Sequence, residues 1–195
     1  MNKKIQTLIF TSTLLLFLSS PSIAVIDDYQ GAVDAYSRED YKTAYKLMLP
    51  LAEQGVVKAQ YNLGLMYGKG QGIVKDDGKA IKWWKLAADQ GYGKAQTNLG
   101  WVYEKGRGVN QDDQEAIKWY RLAVDQGLIQ AQTTLGLIYK KGDGVTQDFK
   151  EAAKLYQLAA EQGDPDAQYQ LGLMYSNGEG ISQGYNEAAK WFQLA

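Results

Sequence analysis

The nonapeptide AQYNLGLMY, residues 59–67, decides the fold because the chain repeats it three more times at intervals of 36 residues. The later copies read AQTNLGWVY at 95–103, AQTTLGLIY at 131–139 and AQYQLGLMY at 167–175. Within the first copy, Ala59, Leu63 and Tyr67 are spaced at i, i+4 and i+8, which is the apolar stripe of an amphipathic helix. A fixed period of this length predicts a stack of similar units rather than one irregular core.

Each copy is followed by a Gly-x-Gly segment and then by a second apolar periodicity. After the first copy, the glycines are Gly70 and Gly72. The second stripe comprises Ala80, Trp84 and Ala88, again at i, i+4 and i+8. Glycine permits the positive φ angles that a tight turn between helices requires. Every unit is therefore predicted to be a pair of antiparallel helices joined by this turn.

The second helix of each unit carries start and stop signals. Asp76, Asp112 and Asp148 stand just before it and are predicted N-caps. Glu115 and Glu151 are predicted to complete capping boxes with the latter two. A Gln-Gly pair follows the helix, and its glycine is predicted to end the helix in the left-handed conformation. Aromatic residues at fixed positions of both helices are predicted to fill the core: Tyr67, Tyr103, Tyr139, Tyr175, Trp84, Tyr120, Tyr156 and Phe192.

Repeat units are expected at residues 59–94, 95–130, 131–166 and 167–195, and the last of these is incomplete. Residues 25–58 carry a degenerate version of the pattern without the Gly-x-Gly segment. They are predicted to form an N-terminal capping helix pair in which Pro50 kinks the second helix. The predicted fold class is all-α, an α/α superhelical solenoid of antiparallel helix pairs.

Residues 1–24 are typical of a signal peptide. Lys3 and Lys4 precede an apolar stretch over residues 5–18, and Ser22 and Ala24 supply the small residues that a signal peptidase recognises. The stretch is shorter than the roughly 20 apolar residues that span a bilayer. We expect cleavage after Ala24 and an exported protein, either periplasmic or secreted. The alternative is an N-terminal membrane anchor that is not cleaved.

The composition excludes several classes of function. The chain has 21 Lys and Arg against 22 Asp and Glu, and the two signs are interspersed, so it lacks the clustered basic surface of a nucleic-acid-binding protein. It has no His and no Cys, which removes the usual general base and the ligands of most zinc sites. The sequence therefore predicts no enzyme activity, no cofactor and no metal site.

The repeated residues resemble a known family. The pattern Ala-Gln-x-x-Leu-Gly-x-x-Tyr, then Gly-x-Gly-Val, then Asp-x-x-Glu-Ala-x-x-Trp-Tyr-x-Leu-Ala, then Gln-Gly is similar to the Sel-one-like repeat, a 36-residue relative of the tetratricopeptide repeat. The resemblance implies a right-handed superhelix used for protein–protein interaction, common in exported bacterial proteins. Some exported, Cys-rich relatives are linked to β-lactam binding or hydrolysis, and this chain departs from them because it has no Cys.

Function is expected where the units differ. Positions two, six and nine residues beyond the repeated alanine form one stripe beside the core face, and the resemblance to tetratricopeptide arrays places this stripe on a concave groove. Its aromatic and polar side chains suit a protein or peptide ligand. The predicted partner-binding residues are Tyr61, Leu65, Thr97, Trp101, Glu104, Thr133, Leu137, Lys140, Tyr169 and Leu173.

Alternative interpretations of this stripe stay open. On the first interpretation, the leucines of the stripe would pack only against the next helix. On a second, Tyr61, Trp101 and Tyr169 would stack on the sugar rings of peptidoglycan or another cell-wall glycan. A third is β-lactam hydrolysis, as in the Cys-rich relatives. In the neighbouring row, Asn62 and Asn98 are predicted to bind the backbone of a peptide.

The last helix is expected to leave an apolar patch formed by Trp191, Phe192 and Leu194. Two explanations are open at this point. The patch would mediate oligomerisation of the chain, or the chain would be incomplete.

Overall fold

A computed structural model describes residues 23–195 as ten α-helices that form five antiparallel hairpins. The predicted signal peptide at 1–24 lies almost wholly outside the described residues and stays a prediction. None of the described helices is both long and apolar enough to cross a membrane. The helices are α1 (Ile23–Ser37), α2 (Tyr41–Glu53), α3 (Val57–Lys69), α4 (Asp77–Asp89), α5 (Gly93–Lys105), α6 (Asp113–Val124), α7 (Ile129–Lys141), α8 (Phe149–Glu161), α9 (Pro165–Asn177) and α10 (Tyr185–Leu194).

The hairpins stack in the order of the sequence. Each helix makes its most extensive contacts with the helices immediately before and after it. Such nearest-neighbour packing is the property that defines a solenoid, in which one unit buries the apolar face of the next. The predicted all-α solenoid of helix pairs is therefore confirmed. We call α3, α5, α7 and α9 the first helices and α4, α6, α8 and α10 the second helices of their hairpins.

A glycine on the first helix and an aromatic ring on the second hold each hairpin together. A Cβ atom on Gly64 would lie 2.5 Å from Trp84 Cδ1, and one on Gly100 would lie 2.7 Å from the Tyr120 ring. Only glycine allows the two helices to approach this closely, and the ring fills the space beside the missing side chain. The same contact joins Gly136 to Tyr156 and Gly172 to Phe192.

The burial of the repeated aromatic residues largely follows the prediction. Tyr120 and Tyr156 are each 1% exposed, and Tyr67, Trp84 and Tyr139 are also buried. Others depart from it: Tyr103 and Tyr175 are half-buried, and Phe192 is exposed. Phe192 is exposed because, among the described residues, no further hairpin packs on α10.

The predicted N-caps are confirmed. The carboxylate of Asp76 accepts from the backbone N–H of Lys79, and that of Asp112 accepts from the N–H of Glu115, each at 2.9 Å. Asp148 caps α8 in the same way. Each carboxylate satisfies an N–H group that has no partner within its helix.

The second half of the predicted capping boxes is wrong. The N–H of Asp112 donates to the carbonyl of Tyr103 at 3.0 Å, and the N–H of Asp148 donates to the carbonyl of Tyr139 at 2.9 Å. No donor is therefore left for a glutamate to bind. Glu115 and Glu151 instead form ion pairs one helical turn further on, with Lys118 and Lys154 respectively.

The second glycine of each Gly-x-Gly turn touches the preceding hairpin. Gly72 has a φ of 72°, and a Cβ atom there would lie 2.2 Å from the carbonyl oxygen of Tyr41, at the start of α2. Gly180 meets the carbonyl of Phe149, at the start of α8, at the same distance. These turns therefore set how consecutive hairpins dock, in addition to reversing the chain.

A row of buried glutamines joins neighbouring hairpins. Gln96 Nε2 donates to the carbonyl of Ala88 in the preceding hairpin, and its Oε1 accepts from Gln126 Nε2 at 2.7 Å. Gln60 makes the equivalent pair of bonds, to Ala52 and from Gln90. Because the amides of Gln60 and Gln96 each use both a donor and the acceptor, burial of these two side chains leaves neither group unsatisfied.

The N-terminal hairpin departs from the others only in detail. Asp40 caps α2 by accepting from the N–H of Thr43, and Glu39 adopts a φ of 62° in the turn between α1 and α2. α2 continues through Pro50 to Glu53. This hairpin packs against α3 and covers the first full unit of the stack.

Candidate partner-binding groove

The predicted partner-binding residues lie along the first helices, on a surface that we call the first-helix face. On α3 the accessible stripe comprises Lys58, Asn62, Leu65 and Lys69, at i, i+4, i+7 and i+11. The same positions on α5, α7 and α9 are accessible too. Because the opposite sides of these helices are buried in the hairpins, a partner can reach this stripe and, on α9, the adjacent Tyr169.

Three of the predicted residues are large, apolar and exposed. The exposed fractions are 39% for Trp101, 40% for Leu137 and 50% for Tyr169. Tyr61, Leu65 and Leu173 are half-buried. Of the aromatic and aliphatic members of the predicted set, Trp101, Leu137 and Tyr169 thus lie at the surface, whereas Tyr61 and Leu65 also pack against the core.

Trp101 lines a small cavity of about 180 Å³ between α3 and α5. Leu65, Gly68 and Asn98 line it, together with the indole ring of Trp84 from the core. The cavity lies beside Gly68, and the corresponding residues of the other first helices, Glu104, Lys140 and Ser176, carry longer side chains.

Arg107, from the turn after α5, closes one side of the same cavity. Its guanidinium carbon lies 5.2 Å from the centre of the Trp101 ring, within the range of a cation–π contact. It also donates to the carbonyl of Gly68 at 2.9 Å and forms an ion pair with Asp77 at 2.9 Å. The hydrogen bond from Arg107 keeps the pKa of Asp77 below its usual value. Arg107 therefore fixes the wall of the cavity by bonds to the preceding hairpin.

A second cavity, of about 310 Å³, lies on the other side of Asn98. Tyr61, Lys94 and Ile129 are among the residues that line it. The ring of Tyr61 meets that of Tyr92 edge to face, with 5.1 Å between their centres, and burial raises the pKa of Tyr61. Asn98 thus stands between an indole on one side and a phenol on the other.

The four polar residues of the predicted set are engaged within the protein. Thr97 is buried and its hydroxyl donates to the carbonyl of Gly93, which removes it from the accessible surface. Glu104 accepts from the hydroxyl of Tyr120 at 2.8 Å. The hydroxyl of Thr133 donates to Asp164 at 3.3 Å, and Lys140 forms an ion pair with Glu179 at 3.7 Å. Spacing along a helix identifies the face of a residue, but it does not reveal the partners that other helices and loops supply to Glu104, Thr133 and Lys140.

The two asparagines of the neighbouring row differ in their surroundings. Asn62 Nδ2 donates to the hydroxyl of Tyr29 at 2.9 Å, so it joins the N-terminal hairpin to α3. Asn98 lines both cavities described above. Of the two, Asn98 is placed to meet a ligand held beside Trp101.

Arg107 and the lysines of the first-helix face were missed by sequence reasoning. Arg107 occupies the middle of a Gly-x-Gly turn where the other units have Gln71, Asp143 and Glu179, and this difference between units was the signal available. Exposed lysines recur near both ends of the accessible stripes: Lys58, Lys69, Lys94, Lys105 and Lys141. Glu104 is the one acidic residue on α3, α5 and α7, and it is already paired. The face is therefore positively charged over these three helices.

The end of the described stack has an apolar surface. Trp191 is half-buried, whereas Phe192 and Leu194 are exposed. The rings of Tyr169 and Phe192 are 5.7 Å apart beside an open cavity. Oligomerisation through these residues stays a prediction. Among residues 23–195, no group of three or more His, Cys, Asp or Glu side chains is arranged to hold a metal ion.

Comparison with known proteins agrees with the hairpin stack. The Sel1 repeat matches five consecutive segments, at residues 29–56, 57–92, 93–128, 129–164 and 165–195. The matched segments begin close to the starts of α3, α5, α7 and α9, and the first falls within the degenerate N-terminal hairpin. Among curated proteins, no sequence matches at a significant level.

The solved structures to which the chain is similar include two with more than 30% sequence identity. A protective antigen present in uropathogenic Escherichia coli strains, described as displaying an SLR fold, has 32% sequence identity and a TM-score of 0.84, over 87% of this chain and 37% of that one. A Sel1 repeat protein from Oxalobacter formigenes has 35% identity and a TM-score of 0.74, over 79% of this chain and 44% of that one. The chain spans less than half the length of either protein. From its five matched segments and these structural likenesses, it follows that the chain belongs to the Sel1 repeat family.

Proposed function

We propose that this protein is a non-enzymatic adaptor that holds a protein or peptide on the first-helix face, with Trp101 as the central anchor. Sel1 repeats generally mediate protein–protein interaction, and proteins built from them are generally scaffolds rather than enzymes. The observation that carries the proposal is the exposure of Trp101 beside a preformed cavity. Exposed aromatic residues at such cavities are the usual centres of binding energy in protein interfaces.

The charge of the face suggests which kind of segment it binds. Exposed lysines flank Asn62 and Leu65 on α3 and flank Asn98 and Trp101 on α5. A segment with acidic residues on either side of an apolar side chain would complement this arrangement. Asn98, between the two cavities, offers an amide that is able to bond the backbone of an extended segment.

The site of action proposed for the adaptor is outside the cytoplasm, in the periplasm or after secretion. Support for this comes from the basic residues, short apolar stretch and small residues of segment 1–24. Cell-wall glycan is a weaker candidate ligand, because Arg107 already lies over the Trp101 ring on which a sugar would stack.

The proposal is tested by affinity capture from the native cell envelope. The wild-type chain, Trp101→Ala and Leu86→Ala are used as baits, and captured proteins are quantified by mass spectrometry. Leu86 is the matched control because it is 40% exposed, like Trp101, but lies on α4. We expect a partner that the wild type and Leu86→Ala retain and Trp101→Ala loses. Equal retention by all three baits would contradict the proposal.

A further inference from the structure

The largest cavity described, about 650 Å³, lies away from the first-helix face, between the second helices α6 and α8. Leu135 and Tyr139 of α7 contribute to its lining, and Arg121, Lys154 and Leu155 line it from the two second helices. Its volume is in the range of protein sites that bind small ligands or single side chains of a partner.

The repeat itself shows what such a space accommodates. Position 155 corresponds to Trp83, Trp119 and Trp191 of α4, α6 and α10, so α8 has leucine where these three helices have tryptophan. In the preceding unit, Trp119 is 7% exposed and packs within the core that α4 and α5 form. Leu155 is also buried but is much smaller than an indole, and the cavity adjoins it. The space that an internal indole occupies in one unit is thus open in the next.

Positively charged residues of the cavity wall are also suited to an indole ring. Lys118 Nζ lies 5.9 Å from the centre of the Trp119 ring, so the internal indole carries a cation on its face. Lys154 is the equivalent residue of the next unit and lines the cavity. Arg121 provides a second cation at the wall, where its guanidinium bonds the hydroxyl of Tyr139 and lies 5.9 Å from that ring. Asp125, Asp148 and Glu151 also line the cavity, and Glu151 pairs with Lys154 at 3.7 Å, so its wall carries both signs of charge. Of these groups, the two cations favour the electron-rich face of a ring.

We propose that this cavity is a second binding site, which accepts the indole of a tryptophan presented by a partner protein. The incoming ring takes the position that Trp119 takes in the preceding unit and lies beneath Lys154. The site is on the second helices and does not depend on the ligand of the first-helix face. One Sel1 stack thereby holds two segments, one on each set of helices.

The test uses N-acetyl-L-tryptophanamide as the probe and N-acetyl-L-leucinamide as the aliphatic control. Each is titrated into the full chain, and binding is followed by chemical-shift changes of the Leu135, Val145 and Leu158 methyl groups. We expect saturable shifts with the tryptophan probe and weaker binding, by about tenfold, with the leucine probe, which lacks a ring for a cation–π contact. Absence of saturable shifts, or equal binding of both probes, would overturn the proposal.

Two substitutions make the test specific. Leu155→Trp should fill the cavity with an indole of the protein itself, as in three other helices, and should therefore abolish binding of the probe. Trp119→Leu removes the internal indole of the preceding unit and should create a second site of the same kind, so that two probes bind per chain. Circular dichroism and thermal melting establish that each variant is folded. Unchanged binding by a folded Leu155→Trp would refute the site. If Leu155→Trp does not fold, Lys154→Glu provides the same test, because loss of the cation should weaken binding about tenfold.

Discussion

The guanidinium of Arg107 lies over the indole of Trp101, with 5.2 Å between the guanidinium carbon and the ring centre. The two residues are on the same hairpin, but Arg107 is anchored to the preceding one through Gly68 and Asp77. The orientation of the proposed anchor therefore depends on the docking of two hairpins. A partner that binds Trp101 meets a surface that the stack has already arranged.

Removal of the contact between Arg107 and Trp101 should reduce partner binding more than it reduces stability. Arg107→Ala is expected to lower the free energy of unfolding by about 1 kcal/mol, since the ion pair with Asp77 is partly exposed. It should weaken capture of the partner more strongly, because Trp101 loses its support. Chemical denaturation and quantitative capture measure the two effects. Arg107→Lys keeps the charge without the planar fork and should restore stability better than binding.

The same ion pair gives a prediction for acid stability. Because the pKa of Asp77 is lowered in the folded protein, its stabilising contribution is complete above the ordinary pKa of 3.8 and is lost as the pH falls through the folded value. The difference in unfolding free energy between the wild type and Asp77→Asn should therefore shrink below about pH 4. Urea denaturation at several pH values checks this. A difference that stays constant down to pH 2 would show that the carboxylate charge does not matter.

Gly100 should be far less tolerant of a methyl group than another helical glycine. Gly100→Ala places a Cβ atom 2.7 Å from the Tyr120 ring and is expected to cost about 1–3 kcal/mol through overpacking. Gly78 is the control, since the nearest atom to a Cβ there is Asp76 Oδ1, 3.4 Å away. Gly78→Ala should stabilise the protein by up to about 1 kcal/mol through helix propensity. Thermal melting of both variants distinguishes the two effects.

The glutamine row should contribute to the docking of hairpins. Gln96→Ala removes one donor to the carbonyl of Ala88, which still accepts from the N–H of Gly91, and removes the acceptor of Gln126. This predicts a loss of about 0.5–1.5 kcal/mol. Gln130→Ala, at an exposed position on α7, is the control and should change stability little. Equal effects of the two substitutions in denaturant titrations would mean that the buried amide has no special role.

Buried tyrosines predict a loss of stability in alkali. Burial raises the pKa of Tyr156 to about 12, against an ordinary value of 10.0. Between these values the unfolded chain loses the phenolic proton and the folded chain keeps it, so stability declines as the pH rises from about 10 to 12. Tyr156→Phe should reduce this decline, whereas the exposed Tyr185→Phe should not. Denaturation at pH 9 to 11.5 provides the measurement.

The fold was predictable because the same apolar helical pattern recurs in each repeat unit. The stripe that begins at Ala59 follows from helical spacing alone. The contact between each glycine and an aromatic ring depends on how the two helices pack. The predicted bond between Glu115 and the N–H of Asp112 was wrong because that N–H donates to the carbonyl of Tyr103. This bond depends on the geometry of a turn that the sequence does not display. Within a hairpin, local pattern was therefore sufficient for the helices but not for every bond at their ends.

The candidate site was predictable only in part. Trp101, Leu137 and Tyr169 were placed at the surface by spacing, and they are exposed. Thr97 occupies an equivalent position but is buried, because burial there depends on how the next hairpin packs. The cavity beside Leu155 arises from a substitution within the repeat, so its position was visible in the sequence, whereas its volume required the packing of three helices.

Site-specific photo-crosslinking tests the proposed role of Trp101 most directly. A benzophenone amino acid replaces Trp101 in one variant and Leu86 in another, and each is expressed in the native host and irradiated. The account predicts a discrete cross-linked partner at position 101, with little or none at position 86. The same partner cross-linked equally at both positions, or at position 86 alone, would contradict the claim that the first-helix face holds the ligand.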